Sequence, residues 1–173
     1  MRNVIFGGAN SLDNLFARPD GGVDWLLWSE EAAAVTMDSW KSVDTMILGR
    51  KTYEVARRMG PGPSELAGLQ SYVFSRTLPD EPGVNIVRED VAAFVRRLKG
   101  ESGKDICILG GGELARPLFE ADLIDRVGLN IHPVLLGSGP PALLDTGGRL
   151  NLALTECRQL DGGCVFVRYA VKP

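Results

Sequence analysis

Short apolar runs that alternate with helical stretches are the feature that most constrains the fold of this chain. Each run is four to six residues long and is followed by Gly, Asn, Ser or Arg. The runs cover residues 4–9, 45–48, 71–74, 84–87 and 106–109. Apolar runs of this length, bounded by turn-forming or polar residues, are typical of buried strands. The sequence therefore predicts five strands in this part of the chain.

The segments between these runs carry the signals of α-helices. They cover residues 29–42, 52–59, 91–99 and 113–121. Ser29 precedes two glutamates and a run of alanines, and Asp90 precedes a segment whose apolar positions follow helical spacing, so both are predicted N-caps. Pro117 is compatible with the last helix only if that helix begins near Glu113. Residues 60–68, which are rich in glycine and proline, predict a flexible connector.

The C-terminal part of the chain predicts a long strand and a hairpin. Residues 127–136 form an apolar run that Pro133 interrupts, and two extended runs flank the Asp-Gly-Gly turn at 161–163. Strands that alternate with helices and end in a hairpin predict an α/β fold. We expect a mostly parallel central sheet, helices on both faces and a C-terminal antiparallel hairpin. The length of 173 residues predicts a single domain over residues 1–173.

Composition and charge argue against several classes of protein. Apolar residues make up 45% of the chain, which suffices for a buried core, and the formal net charge of -3 argues against a nucleic-acid partner. No run approaches ~20 apolar residues, so no membrane partner is expected. The start of the chain is too glycine-rich for a signal peptide, and a cytoplasmic location is therefore expected.

The three cysteines predict neither a disulfide framework nor a metal site. Cys107, Cys157 and Cys164 are far apart in sequence, and no cluster has the spacing of metal ligands. Two of them lie in apolar, strand-like runs. We therefore interpret them as buried, inert thiols in a reducing compartment.

Three of the predicted strands end in motifs that suit an anion. These motifs are residues 49–52 (GRKT), 75–77 (SRT) and 110–113 (GGGE). In an open α/β sheet, ligands bind beyond the carboxyl ends of the strands, and a helix that starts there offers free N–H groups to a phosphate. Taken alone, the triple glycine is equally compatible with a plain turn.

Positive charge accompanies two of these motifs. Arg50, Lys51 and Arg76 stand beside the strand ends, and the planar fork of arginine suits a phosphate dianion. Taken alone, Arg50 and Lys51 are more typical of solvated surface charges. The recurrence at several strand ends predicts a ligand with more than one phosphate, such as a dinucleotide. The chain lacks both GxGxxG, since position 115 is alanine, and GxxxxGK[ST], which disfavours phosphoryl transfer.

Few side chains could act as catalysts. The one histidine, His132, stands before Pro133 in a buried-looking strand, where a structural role and a role as general base are both open. No serine or cysteine has the surroundings of a nucleophile. Hydride transfer from a cofactor needs few protein catalysts and fits this inventory. Asp24, Glu30 and Glu31 could orient a substrate or relay a proton, or could be capping or solvated acids.

The motifs, in this order, resemble the dihydrofolate reductase-like superfamily. The motifs that carry the resemblance are residues 11–13 (SLD), 48–54 (LGRKTYE), 110–126 (GGGELARPLFEADLIDR) and 133–139 (PVLLGSG). The closer branch is the C-terminal reductase domain of the bifunctional riboflavin-biosynthesis deaminase–reductase (RibD) and its stand-alone relatives. The resemblance covers nearly the whole chain, and the family's fold agrees with the α/β fold predicted above.

The resemblance implies that the cofactor is NADPH. Ala9 and Phe16 would line the nicotinamide, residues 49–52 would meet the phosphates, and Ser75 and Arg76 would bind the 2′-phosphate that distinguishes NADPH from NADH. The full set of implied cofactor-binding residues is Ala9, Phe16, Gly49, Arg50, Lys51, Thr52, Ser75, Arg76, Gly110, Gly111, Gly112 and Glu113.

Two loop details follow from the resemblance. In dihydrofolate reductases the first Gly–Gly bond of the triplet is cis, which implies a cis bond between Gly110 and Gly111. Asn14 stands where the riboflavin branch usually has glycine. Because asparagine tolerates left-handed geometry, we expect the turn to be kept.

The resemblance implies a reductase that transfers hydride to a small heterocyclic substrate, similar to the 5-amino-6-(5-phosphoribosylamino)uracil reductase of riboflavin biosynthesis. The substrate would lie between residues 13–30 and the strand that bears Asn130 and His132. Glu30 or Asp24 would correspond to the acid that binds the pteridine ring in dihydrofolate reductases. Dihydrofolate reductase activity and NADPH binding without catalysis are the alternatives.

The resemblance also bears on assembly. Riboflavin-type relatives are often dimers, and the terminal hairpin exposes a sheet edge that a second chain could cover. A homodimer is therefore expected. No deaminase motif with zinc-binding His and Cys residues is recognised in this sequence, so the complete bifunctional activity is not expected.

Overall fold

Eight strands and four α-helices make up the regular structure in the part of the chain that the computed structural model describes, residues 1–60, 68–143 and 148–172. The strands are β1 Val4–Ser11, β2 Val43–Gly49, β3 Gln70–Phe74, β4 Asn85–Val87, β5 Asp105–Leu109, β6 Arg126–His132, β7 Leu152–Gln159 and β8 Val165–Val171. The helices are α1 Glu30–Trp40, α2 Arg50–Met59, α3 Val91–Gly100 and α4 Gly112–Glu120. A short 3-10 turn at Asp161–Gly163 joins the last two strands.

All eight strands belong to one sheet, in the order β4-β3-β2-β5-β1-β6-β8-β7. The pairs from β4 to β6 are parallel, and β8 pairs antiparallel with both β6 and β7. The predicted α/β arrangement with a C-terminal hairpin is therefore confirmed. No helix within the described ranges has the length and apolar character needed to cross a membrane.

The predicted helix caps are also confirmed. Ser29 accepts a hydrogen bond on its hydroxyl from the N–H of Ala32 at 3.0 Å, and Asp90 accepts one from the N–H of Ala93 at 2.8 Å. These bonds satisfy N–H groups that have no partner within the first helical turn.

The predicted end of the long C-terminal strand is wrong, and most of the predicted connector lies outside the residues that the structure describes. The strand expected over 127–136 ends at His132, because Pro133 has no N–H to donate to a neighbouring strand and its ring fixes φ. The connector expected over 60–68 falls, except for Gly60 and Gly68, outside the described residues.

The two faces of the sheet are covered unequally. On one face, α3 and α4 pack a continuous core against the central strands. On the other, α1 buries only Ala32 and Val35, which pack with a small cluster from the hairpin, and α2 buries none of its side chains completely. We call this second side the open face. Because α1 and α2 do not seal it, a cleft remains between these helices and the sheet.

Candidate active site

The cleft over the open face has a volume of about 1570 Å³. Its floor includes Ile5 and Gly7 of β1, Cys107 of β5 and Gly128 of β6, which lie side by side in the strand register. Burial raises the pKa of the Cys107 thiol to about 12, so this side chain stays neutral. The glycines and uncharged side chains at these four positions leave room for a flat ligand against the sheet, and Arg126, which pairs with Ile5 in the register, also lines the cleft.

All of the predicted cofactor-binding residues line this one cleft. They are Ala9, Phe16, Gly49, Arg50, Lys51, Thr52, Ser75, Arg76, Gly110, Gly111, Gly112 and Glu113. They come from β1, the loop after it, and the carboxyl ends of β2, β3 and β5, which parallel pairing brings to the same edge. The structure thus brings these residues together, while their binding of a cofactor stays a prediction.

Two helices point their N-termini at this edge. Gly49 is the N-cap of α2 and Gly111 is the N-cap of α4, and neither helix has a side-chain capping bond. The first N–H groups of an α-helix lack partners within the helix, and the helix dipole is positive there. Two uncapped N-termini in one cleft therefore form an environment that suits anionic groups.

The first two glycines of the triplet have different roles. Gly110 has φ +99°, and a Cβ there would lie 2.0 Å from Oγ1 of Thr52, so only glycine lets the loop after β5 approach α2 this closely. A Cβ on Gly111 would meet no atom within 4 Å. Gly110 is thus required by packing, whereas Gly111 leaves open space beside the cleft.

The expected cis bond between Gly110 and Gly111 is wrong, because the structure has no cis peptide bond in the residues it describes. The chain reverses direction at this point through the positive φ of Gly110 instead. Glycine reaches that conformation without the steric conflict that a Cβ would cause.

Three cationic side chains stand on the rim of the cleft. Lys51 and Arg76 are exposed, and neither makes an ion pair or hydrogen bond within the described residues. Arg50 has only long contacts, 3.4 Å to the hydroxyl of Thr77 and 3.7 Å to the carboxylate of Glu54. These three charges are therefore little neutralised by the protein itself.

Ser75 shapes the turn that carries Arg76. Its hydroxyl accepts hydrogen bonds from the N–H groups of Thr77 at 3.2 Å and Leu78 at 2.9 Å. These bonds hold the chain in a turn directly after β3. The backbone at Arg76 is thereby held at the cleft rim, while its long side chain stays exposed.

Phe16 forms part of the wall beside β1. Its ring lies against Gly8, where a Cβ would come within 2.9 Å of the ring, and its centroid is 6.2 Å from that of Phe6. The N–H of Phe16 donates to the carbonyl of Pro140 at 2.9 Å. The loop after β1 is thus held against the segment that follows β6.

Asp13 supplies further bonds between these two segments. Its carboxylate accepts hydrogen bonds from the hydroxyl of Ser11 at 2.6 Å and from the N–H groups of Gly137 at 2.7 Å and Leu136 at 3.1 Å. The Ser11 bond and then the Gly137 bond are the main causes that lower the pKa of Asp13. Asn14 has φ 63°, so the expected left-handed turn is confirmed.

The two predicted catalytic acids do not line the cleft. Asp24 pairs with Arg18 at 3.1 Å and its side chain is 68% exposed. Glu30 is exposed in the first turn of α1, and its neighbour Glu31 accepts a hydrogen bond from the N–H of Asp161 at 2.9 Å. A role for Asp24 or Glu30 in proton transfer stays a prediction, and this arrangement does not place either beside the floor.

Two polar side chains of the cleft wall come from the C-terminal half of β6. Asn130 and His132 alternate with core residues, so both face the cleft, as expected from the strand that bears them. Oδ1 of Asn130 is buried without a hydrogen-bond partner in the described residues. Buried polar atoms are rarely left unpaired, so this oxygen is a candidate ligand contact.

Two residues at the far end of the cleft, Arg168 and Ser39, are not among those that the sequence predicts. Arg168 donates to the hydroxyl of Ser39 at 2.8 Å and pairs with Glu156 at 2.8 Å, linking α1 to the hairpin. The alternation of β8 places Arg168 on the same face as Phe166. The alternation of β8 in the sequence could have indicated that Arg168 faces the same side of the sheet as Phe166. The sequence does not show that α1, which bears Ser39, packs on that side.

Comparisons with known proteins agree with this architecture. The family model of the RibD C-terminal domain matches residues 2–166. The chain is 36% identical over 172 residues to the uncharacterised protein YwjB of Bacillus subtilis (strain 168), covering 97% of each sequence.

Two solved structures show the fold. A putative riboflavin biosynthesis protein from Shewanella sp. PV-4 superposes with a TM-score of 0.81 at 22% identity, covering 100% of both chains. Dihydrofolate reductase from Enterococcus faecalis, complexed with NADP(H), superposes with a TM-score of 0.72 at 15% identity, covering 99% of this chain and 97% of that one. The predicted dihydrofolate reductase-like α/β fold is therefore confirmed, and the chain belongs to the family of RibD C-terminal domains.

Proposed function

We propose that this protein is an NADPH-dependent reductase that transfers hydride to a small heterocyclic substrate, similar to the 5-amino-6-(5-phosphoribosylamino)uracil reductase of riboflavin biosynthesis. Family membership supports an oxidoreductase of the type found in that pathway. The observation that carries the proposal is the convergence of three strand-end motifs on one cleft that also has an apolar floor.

The residues at the strand ends fit a dinucleotide. The uncapped N-termini of α2 and α4 would hold its phosphates, and the open space at Gly111 would let the backbone touch the pyrophosphate. Arg76 has no partner in the described residues and would pair with the 2′-phosphate, beside the turn formed by Ser75. The fork of arginine suits a phosphate dianion.

The reacting end would lie further along β1. NADPH, when bound, supplies a hydride, and the protein supplies binding, orientation and electrostatics. Ala9 and Phe16 would position the nicotinamide, and the apolar floor would exclude water from the substrate. Asn130 and His132 are the polar groups of β6 that face this space, so they would orient the substrate ring.

An NADPH-binding protein without catalysis is the second candidate. Asp24 and Glu30 lie outside the cleft lining, which favours this candidate, because hydride transfer to a C=N or C=O bond also requires a proton. Assays with dihydrofolate and with the deaminated riboflavin precursor separate the two functions. Turnover of either one supports the reductase, whereas tight NADPH binding without turnover of any substrate supports the second candidate.

Nucleotide selectivity tests the proposed cofactor. Titration with NADPH and NADH, followed by nucleotide fluorescence, should show tighter binding of NADPH. Arg76→Ala should lose most of that preference, about 10- to 150-fold in Kd, because a hydrogen bond to a charged group contributes about 1.5–3 kcal/mol. NADH affinity should change little.

Arg58→Ala is the matched control for this substitution. Arg58 is another exposed arginine without an ion pair in the described residues, and it does not line the cleft. The control should keep the preference for NADPH. Absence of NADPH binding, or equal affinity of the wild type for both nucleotides, would refute the proposed cofactor, and an unchanged preference in Arg76→Ala would refute the role of Arg76.

The homodimer is proposed on a separate observation. β7 is an edge strand, and its side chains Leu152 and Leu154 are 39% and 57% exposed. An exposed edge with apolar side chains favours pairing with another chain. A second copy of this chain, packed on the hairpin, would cover both leucines.

A further inference from the structure

His132 is the only histidine of the chain and is held in a fixed orientation at the end of β6. Its side chain is 2% exposed. The ring of Trp25 packs edge-on against it, with 5.3 Å between the centroids and 86° between the planes. The imidazole is therefore enclosed by protein on all but the side that lines the cleft.

Two groups of the protein contact Nδ1 of His132, and one of them, a backbone N–H, can only donate. The N–H of Leu27 donates to Nδ1 at 3.4 Å, and Sγ of Cys164, which is completely buried, lies 3.2 Å from the same atom. A backbone N–H can only donate, so Nδ1 must present its lone pair. The ring proton of the neutral imidazole then belongs on Nε2.

The surroundings favour this neutral form. Burial lowers the pKa of His132 and raises that of Cys164, so neither group is charged at neutral pH. Within the described residues, no charged side chain makes an ion pair or hydrogen bond with His132. Groups packed against it include the indole of Trp25, the backbone of Leu27 and the Cys164 thiol.

Nε2 of His132 lacks a partner of its own. It forms no hydrogen bond in the part of the chain that the structure describes, and His132 is one of the residues that line the cleft. Asn130 lies on the same face of β6, two residues or about 7 Å away along the strand. The register pairs Asn130 with Ala9 and His132 with Ser11, beside the proposed nicotinamide position.

We propose that His132 is a fixed hydrogen-bond donor that selects the substrate, with Nε2–H donating to a carbonyl oxygen or unprotonated ring nitrogen of a heterocycle that also contacts Asn130. This assignment rests on the proposed function for its choice of ligand, because the cleft wall is then the substrate wall. It predicts that ligands without an acceptor at that edge bind weakly, since a buried donor would lose its hydrogen bond with water.

The tautomer can be read directly in the free protein. Because the chain has one histidine, labelling with 15N-histidine gives a single imidazole in NMR spectra. We expect Nε2 to carry the proton and Nδ1 to be unprotonated at pH 7, with the ring still neutral at pH 6.5. An Nδ1–H tautomer or an imidazolium at pH 7 would overturn the proposal.

Ligand contact is tested with two probes, 5,6-diaminouracil and dihydrofolate, at millimolar concentration and with or without NADP+. Both have ring carbonyl acceptors, and dihydrofolate also has unprotonated ring nitrogens. At least one should shift the Nε2 and Hε2 resonances of His132. No shift with either probe would overturn the proposal.

Two variants separate donation from packing. His132→Gln keeps an N–H donor and should retain probe affinity within about threefold, whereas His132→Met fills the space without a donor and should lose tenfold or more. Equal loss in both variants would overturn the proposal. A circular dichroism spectrum and a urea midpoint like those of the wild type identify the variants that are folded. A third variant, Cys164→Ala, removes the thiol but leaves the Leu27 N–H in place, so His132 should keep its proton on Nε2.

The outcomes also separate this inference from the proposed function. If NADPH does not bind, the proposed cofactor is wrong, while the tautomer and the probe shifts still decide the role of His132. If NADPH binds and is oxidised but the His132 resonances do not respond to either probe, only the present inference fails.

Discussion

Alanine substitutions at Gly110 and Gly111 should have opposite consequences, although the two residues are adjacent. Gly110 has φ +99°, and its added Cβ would lie 2.0 Å from Oγ1 of Thr52. Gly111 has φ -45° and ψ 146°, which any residue can adopt, and its added Cβ would meet no atom within 4 Å. Gly110→Ala should therefore lower the stability of the fold, whereas Gly111→Ala should change only the shape of the cleft.

The cost of Gly110→Ala has two parts. Holding a residue other than glycine in a sparsely populated backbone region costs about 1–3 kcal/mol. The added Cβ would also lie 2.8 Å from Cβ of Thr52, which rotation about χ1 does not move, so the backbone must shift, and overpacking of this kind costs about 1–3 kcal/mol. The free energy of unfolding should thus fall by about 2–6 kcal/mol, which corresponds to a loss of about 4–24 °C in Tm for a chain of this length.

Gly111→Ala should leave the fold intact. Replacing glycine where alanine fits raises stability by about 0.4–1 kcal/mol, since the unfolded chain loses conformational freedom. The new methyl group would occupy the space proposed for the pyrophosphate. Overfilling a packed contact costs about 1–3 kcal/mol, so Kd for NADPH should rise about 5- to 150-fold.

Two measurements on each variant separate an effect on stability from an effect on cofactor binding. Urea unfolding gives the free energy of unfolding, and fluorescence titration gives Kd for NADPH. A Gly111→Ala variant that binds NADPH as tightly as the wild type would refute the proposed approach of backbone to cofactor. A Gly110→Ala variant of wild-type stability would refute the packing role of Gly110.

The remaining predictions concern the loop after β1 and the hairpin. Because hydrogen bonds lower the pKa of Asp13 in the folded protein, its contribution to stability is present above the pKa of the unfolded carboxyl and is lost as the pH falls through the folded value. The urea midpoint of the wild type should thus exceed that of Asp13→Asn at pH 7 and converge with it below about pH 4; a difference independent of pH would contradict this. The wild type should sediment as a dimer at micromolar concentration and Leu154→Lys as a monomer, and a monomeric wild type would rule out the proposed interface.

The elements of the fold could be predicted from local signals. Ser29 and Asp90 cap their helices, and the Asp-Gly-Gly turn joins the last two strands, because a cap or a tight turn depends on residues within a few positions of each other. The apolar pattern continues past Pro133 and predicts a strand as far as residue 136, but β6 ends at His132. The strand stops there because proline has no N–H to donate to a neighbouring strand.

The candidate site could be predicted only where its residues lie at the ends of strands. Arg50, Arg76 and Gly111 follow strands, and parallel strands bring their carboxyl ends to one edge wherever those residues stand in the sequence. Asp24 was expected at the cleft but pairs with Arg18 outside its lining. It lies in an irregular segment, where no periodicity indicates the direction of a side chain.

The sequence by itself determined the alternation of strands and helices, the motifs at the strand ends and the helix caps, since these depend on residues that are close in the chain. Only the tertiary structure decided that one face of the sheet stays open, that Gly110 touches Thr52, and that Leu27 and Cys164 meet His132. These contacts join residues that are far apart in sequence. Their geometry depends on how helices pack on the sheet, which no local pattern specifies.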